Sequence, residues 1–161
     1  MVGFGFDVHV LAQGEDLILA GVKIDAPFGT IAHSDGDVIF HALCDAILGA
    51  AALGDIGEHF PDNDAQYKDR DSSYFVVETM KLLTKENYEL VNIDITLLLE
   101  KPKILSYKAA MKANIAKLCN LSEKRVNIKA TTNENLGHIG RSEGVSAYCI
   151  CEIQTLTLEK N

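Results

Sequence analysis

Val91, Ile93, Ile95, Leu97 and Leu99 alternate with Asn92, Asp94 and Thr96, and no other run narrows the possible folds as far. Every second side chain of a strand shares one face, so this strand is half-buried and needs a covering layer. Val38, Ile39, Ala42, Leu43, Ala46 and Ile47 supply one, recurring at helical spacing as a wide apolar stripe. A period of two in one segment and of about 3.6 in another requires a sheet with helices laid on it.

The remaining segments fit that frame. Residues 2–10 and 17–24 read as strands around the turn Gln13-Gly14-Glu15-Asp16. Ser34 is the predicted N-cap of a helix reaching Leu53 and ended by Gly54, with Asp35 and Asp37 where the helix dipole favours negative charge. A second helix is predicted over Ser73–Asn87, and Lys101-Pro102-Lys103 breaks the 91–99 strand and leads into a third ending near Cys119. Val126, Ile128 and Ala130 mark a further strand, and residues 143–158 a long last one. The prediction is an α/β protein of the α+β type, a mixed sheet with helices packed on one side. It forms a single domain over 1–161, without linker, repeat or low-complexity segment.

Composition excludes several functions. A net charge of −8 argues against sequence-independent binding of nucleic acid, which needs clustered Lys and Arg. Small anionic substrates stay possible, because a bound metal inverts the local field. The longest apolar stretch, residues 46–53, is far too short to span a bilayer, and no signal or transit peptide is evident. Cys44, Cys119, Cys149 and Cys151 form no Cys-x-x-Cys pair, and Cys149 and Cys151 are expected to pack one strand face. The expected setting is reducing and cytoplasmic.

Chemistry enters with Asp7-Val8-His9 and the distant His41. On a strand, Asp7 and His9 point the same way, with Val8 expected to pack behind them. Two imidazoles and one carboxylate suit zinc and leave a fourth position open. An Asp/His alternation this short also arises by chance. Asp37, His41 and Asp45 fall at i, i+4 and i+8 on one helix face, which reads either as a solvated polar face or as a site wall. In the second reading Asp45 orients the His41 imidazole. The loop Gly54-Asp55-Ile56-Gly57-Glu58-His59-Phe60-Pro61-Asp62 either offers amides and acceptors to a polyol or makes a tight turn. Lys101-Pro102-Lys103 and Lys129-Ala130-Thr131-Thr132-Asn133-Glu134 combine small residues, hydroxyls and charge suited to phosphates, and Glu134 suits a hard cation. Exposed lysines at strand ends are equally common. No phosphate-binding glycine loop or nucleophile motif is present. The residues alone therefore reach a metal-assisted enzyme acting on a phosphorylated polar substrate.

Five motifs occur in order: Gly5-Phe6-Asp7-Val8-His9, Ala32-His33-Ser34-Asp35-Gly36-Asp37, Gly54-Asp55-Ile56-Gly57 with Phe60-Pro61-Asp62, Ala130-Thr131-Thr132, and Gly140-Arg141 with Glu143-Gly144. With them the whole chain resembles the 2-C-methyl-D-erythritol 2,4-cyclodiphosphate synthase family of the non-mevalonate isoprenoid pathway. The resemblance implies conversion of 4-diphosphocytidyl-2-C-methyl-D-erythritol 2-phosphate to the cyclic diphosphate with release of CMP. The substrate's own 2-phosphate attacks, so no protein nucleophile is needed.

It further implies one zinc per chain on Asp7, His9 and His41, and Mg²⁺ or Mn²⁺ on Glu134. His33, Lys103, Thr132 and Glu134 become the catalytic set. Asp55, Gly57 and Asp62 orient the methylerythritol part with Phe60 beside it, His33 and Ser34 sit on a loop over the substrate, and Pro102, Lys103, Ala130, Thr131 and Thr132 hold the cytidine and phosphates. The implied assembly is a homotrimer with each site between two subunits. His138 and Tyr148 depart from residues common in the family near the threefold axis, where Phe6 and Arg141 equivalents bind isoprenoid diphosphates in some members. Those departures bear on any axial ligand and leave the catalytic set untouched. The rival readings are another metal-dependent phosphoesterase and a non-catalytic trimer that binds isoprenoid diphosphates.

Overall fold

The computed structural model describes residues 1–32, 34–61, 63–67 and 70–156. In chain order the strands and helices are β1 (Val2–Gln13), β2 (Leu17–Leu19), β3 (Val22–Ile24), β4 (Phe28–Ile31), α1 (Val38–Ala50), α2 (Ile56–His59) and α3 (Ser72–Lys85). Then come β5 (Tyr88–Leu98), α4 (Lys108–Leu118), β6 (Val126–Thr131), α5 (Gly137–Gly140) and β7 (Gly144–Thr155). Five strands form one sheet in the order β4-β1-β7-β5-β6, with β5 and β6 parallel and the other pairs antiparallel. The sheet is mixed, as predicted. Helices α1, α3 and α4 cover one face, and the buried side chains of β5 and β7 point into that layer. Ile93, Ile95 and Leu97 are buried in the phase that the alternation dictates. A register shift between Leu90 and Asn92 lets Leu90 face the core too.

Strand β1 departs from the usual pattern of apolar side chains facing the core. Its inward positions are Gly3, Gly5, Asp7 and His9, while Val2, Phe4, Phe6, Val8 and Val10 line the open face. Val8 therefore does not pack behind the ligands; it is 43% exposed. The glycines bring α1 onto the strand backbone, since a Cβ on Gly5 would lie 2.0 Å from the Ala42 carbonyl oxygen. A helix docked this closely sets its side chains directly over β1.

Other expectations are corrected in detail. The N-cap of α1 is Asp37, not Ser34. Its Oδ1 accepts from Ile39 N and Phe40 N at 3.1 and 3.2 Å, and its Oδ2 from Gly21 N at 2.7 Å. Ser34 Oγ instead accepts from Gly36 N at 3.2 Å. The helix stops at Ala50, where Leu53 N turns back to the Leu48 carbonyl at 2.9 Å behind Ala52 at φ 57°. The expected 17–24 strand is a hairpin, β2 and β3, because Ala20 and Gly21 both adopt positive φ in the turn. Strand β4 and helix α2 were not foreseen. The predicted end of the last strand, 157–158, lies outside the described residues.

All four cysteines are free and buried, with Cys149 and Cys151 on one face of β7 as expected. Burial pushes the Cys119 and Cys151 thiols up to about 12, so they behave as apolar core groups. No described helix is long and apolar enough to cross a membrane.

Candidate active site

Alternation on β1 turns Asp7 and His9 to the same side, and α1 lowers His41 onto them one turn after its cap. Asp7 Oδ2 lies 3.0 Å from His9 Nε2 and 3.1 Å from His41 Nδ1, and the two ring nitrogens are 3.2 Å apart. Ligands on a tetrahedral zinc at ordinary bond lengths stand about 3.3 Å apart, so these three atoms nearly form one face of that tetrahedron. Three potential ligand atoms this close together suit a cation. Zinc therefore fits the donor set.

Electrostatics agree. Burial alone would raise Asp7, but hydrogen bonds and charge from His41 and His9 hold it well below the usual carboxylate range. Burial alone would lower His41, yet the hydrogen bond and charge of Asp7 hold it above its ordinary value.

A cavity of about 300 Å³ opens on the triad. Ser34, Asp45, Gly57 and Phe60 line it, as do Tyr67 and Phe75, which the sequence did not single out. The missed pair belongs to an aromatic cluster, with Phe75 5.2 Å from Phe60 and 6.0 Å from Tyr67 between ring centroids. An aromatic on an amphipathic helix reads as core, and no local signal set Phe75 apart. Asp45 forms no hydrogen bond to His41 among the described residues; its carboxylate accepts from Ile56 N at 2.8 Å and pins α2 to α1. His41 Nε2 instead meets Ser72 Oγ at 3.0 Å and Ser34 Oγ at 3.4 Å. Asp55 caps α2 by accepting from Glu58 N at 3.0 Å. His33 and Asp62 lie outside the described residues.

The phosphate-type residues gather elsewhere. Pro102, Lys103, Ala130, Thr131 and Thr132 line a second cavity of about 240 Å³, which shares no lining residue with the first. Asn133 N donates to Glu100 Oε2 at 3.0 Å and ties its two loops together. Glu134 sits beside it at φ 52°, accepting from Thr132 Oγ1 at 3.2 Å. His138 lies on α5 and Arg141 at its C-cap, where Nε and a terminal nitrogen of the guanidinium donate to the Glu143 carboxylate, each at 2.9 Å. The open sheet face carries Tyr148, its ring 4.9 Å from that of Phe6.

A mixed sheet under helices, with a carboxylate and two imidazoles converging in a cleft, defines a metal-binding α/β protein. The chain belongs to the YgbB family, whose profile matches residues 1–154. It is 53% identical over 155 residues to the 2-C-methyl-D-erythritol 2,4-cyclodiphosphate synthase of Chlorobium luteolum, covering 96% of this chain and 99% of that one. It superimposes on the bifunctional IspDF of Campylobacter jejuni with a TM-score of 0.93 and 45% identity, spanning 96% of this chain but 42% of the longer one. The IspF of Plasmodium falciparum, solved as a CDP complex, matches with a TM-score of 0.85 and 32% identity over 97% of this chain and 96% of that one.

Proposed function

We propose that this protein is a metal-dependent cyclase that converts 4-diphosphocytidyl-2-C-methyl-D-erythritol 2-phosphate to 2-C-methyl-D-erythritol 2,4-cyclodiphosphate and releases CMP. The observation that carries the reading is the carboxylate and two imidazoles converging within 3.2 Å at the floor of a cleft, in a chain related throughout to synthases of that name. Asp7, His9 and His41 would hold zinc and Glu134 would hold Mg²⁺ or Mn²⁺. When bound, such ions supply Lewis acidity and charge compensation for phosphoryl transfer.

The chain's own residues supply placement. Asp55, Gly57 and Phe60 would face the methylerythritol part, with Ser34 beside it; His33 and Asp62 join this set on the sequence motifs alone. Lys103, through its charge, and Thr131 and Thr132, through their hydroxyls, take the phosphates, with Pro102 and Ala130 beside the cytidine. The Plasmodium relative, solved as a CDP complex, supports a cytidine nucleotide as the ligand class. Holding the 2-phosphate in line with the phosphorus that it attacks contributes several kcal/mol or more by the entropy it saves.

The two cavities of one chain are separate, which supports a site completed between subunits of a homotrimer, the open sheet face turned inward. His138 and Arg141 would lie near that axis. A cytoplasmic setting follows from the substrate and the free thiols. Following the cytidyl substrate with purified protein and Mg²⁺ by phosphorus NMR tests the reading. The cyclic diphosphate and CMP are expected; linear phosphates would identify a hydrolase instead, and unchanged substrate a binding protein.

A further inference from the structure

We propose that Ser72 and Asp35 form a positioning relay behind His41, holding its ring in the tautomer and orientation that the metal site needs. The proposal rests on the metal-site reading above. Nδ1 of His41 faces Asp7 and His9, so it is the ligand atom, and a neutral ring then carries its hydrogen on Nε2. At 3.0 Å, Ser72 Oγ is the acceptor for that hydrogen. The serine's own hydrogen passes to Asp35 Oδ1 in a short contact, while Ser72 N donates to Asp35 Oδ2 at 3.0 Å. A carboxylate only accepts, so the sense of each bond is set: ring to hydroxyl, hydroxyl to carboxylate.

Three observations separate this arrangement from ordinary packing. Ser72 is 0% exposed, so solvent offers no ready substitute for its hydroxyl. It opens α3, but the cap there is Asp71, whose side chain accepts from Ser73 N at 2.8 Å, so the helix does not need the hydroxyl. Ser34 Oγ is the poorer partner for the ring, at 3.4 Å and already accepting from Gly36 N. The ring is therefore held at both nitrogens, from β1 on one side and from α3 on the other. Asp35 Oδ1 also accepts from Asp37 N at 3.2 Å, which joins the relay to the cap of the helix carrying His41. A negative group one hydroxyl removed from Nε2 makes Nδ1 a stronger electron donor.

The test uses Ser72→Ala and Asp35→Asn in the full chain. Zinc affinity is measured by competition with a chromophoric chelator, and exchange of the His41 Nε2–H with water by nitrogen-15 NMR of the zinc-loaded protein. We expect each variant to lose about 10- to 100-fold in zinc affinity, with faster Nε2–H exchange and near-parental melting of the metal-free form. Affinity within twofold of the parent overturns the relay. So does a loss of affinity with Nε2–H exchange unchanged, because the hydroxyl would then act through packing alone. Should Ser72→Ala fail to fold, Asp35→Asn decides alone, since it keeps volume and an acceptor for Ser72 N. No substrate is present, so a parent that binds zinc through the relay yet forms no cyclic product sinks the cyclase reading and leaves the relay standing. A parent that takes up no zinc overturns the relay.

Discussion

His41 makes or breaks the site at the scale of one side chain. With His41→Ala the triad keeps two ligands, and elemental analysis should find zinc falling from about one per chain to near none while the far-ultraviolet circular dichroism persists. Full zinc in that variant would remove His41 from the ligand set. The raised His41 titration adds a prediction of definite sign. A folded-state value above the ordinary 6.5 means that the stabilisation this proton gives the metal-free protein is fully present below pH 6.5. That contribution is lost as pH rises through the raised value. Zinc must displace a proton held on that ring, so uptake below pH 6.5 should release it, and the calorimetric enthalpy there should differ between buffers of different ionisation enthalpy. Equal enthalpies would show that no proton leaves. Glu134→Gln keeps shape but removes the charge offered to a second cation; turnover should drop at least tenfold with zinc content intact, and a normal rate at ordinary Mg²⁺ would exclude that role. Asp7 and His9 were legible because strand geometry makes i and i+2 neighbours in space. Ser72 was not, because a hydroxyl opening a helix reads as a cap and its partner Asp35 lies 37 residues away.

Among elements, the contact between β1 and α1 sets the spacing of the ligands. Gly5→Ala would push a methyl group into backbone of α1, where the built Cβ lies 2.0 Å from the Ala42 carbonyl oxygen. Relief requires the helix to move away, and α1 carries His41 while β1 carries Asp7 and His9. Denaturant unfolding should show a loss of about 3 kcal/mol or more, with weakened zinc binding in whatever folds. Unchanged stability would mean that the helix has slack there. The period of α1 was plain in the sequence, but its first residue was not. Ser34, Asp35 and Asp37 are all competent caps, and the choice falls to Asp37 because its second oxygen meets Gly21 N in the β2–β3 turn. Burial raises that carboxyl to about 6 against the pull of the amides that it accepts. Sequence spacing cannot reveal such a distant partner. It also could not foresee that the apolar side chains of β1 face away from the helices.

On the scale of the molecule, the two cavities make a quantitative test possible. If each site joins the metal half of one chain to the nucleotide half of another, His41→Ala damages one half and Lys103→Ala the other, so each variant alone should be nearly inactive. Unfolded together in equal amounts and refolded, they should regain about a quarter of parental activity, because random head-to-tail assortment in a closed ring pairs two intact halves in that fraction of sites. Mixed trimers confirmed by mass but inactive would mean that each chain builds its site alone.

The open sheet face has a kinetic corollary. A row of Val2, Phe4, Phe6, Val8 and Val10 is a surface that water tolerates poorly, and another copy of the chain is the ready cover. If the two half-sites meet only across that cover, the protein is a reactant in making its own active form. Specific activity should then hold steady at high protein concentration and decline on dilution, recovering with a lag that shortens as more protein is added back. Freshly made chains would pass through the same lag, dark until they find one another.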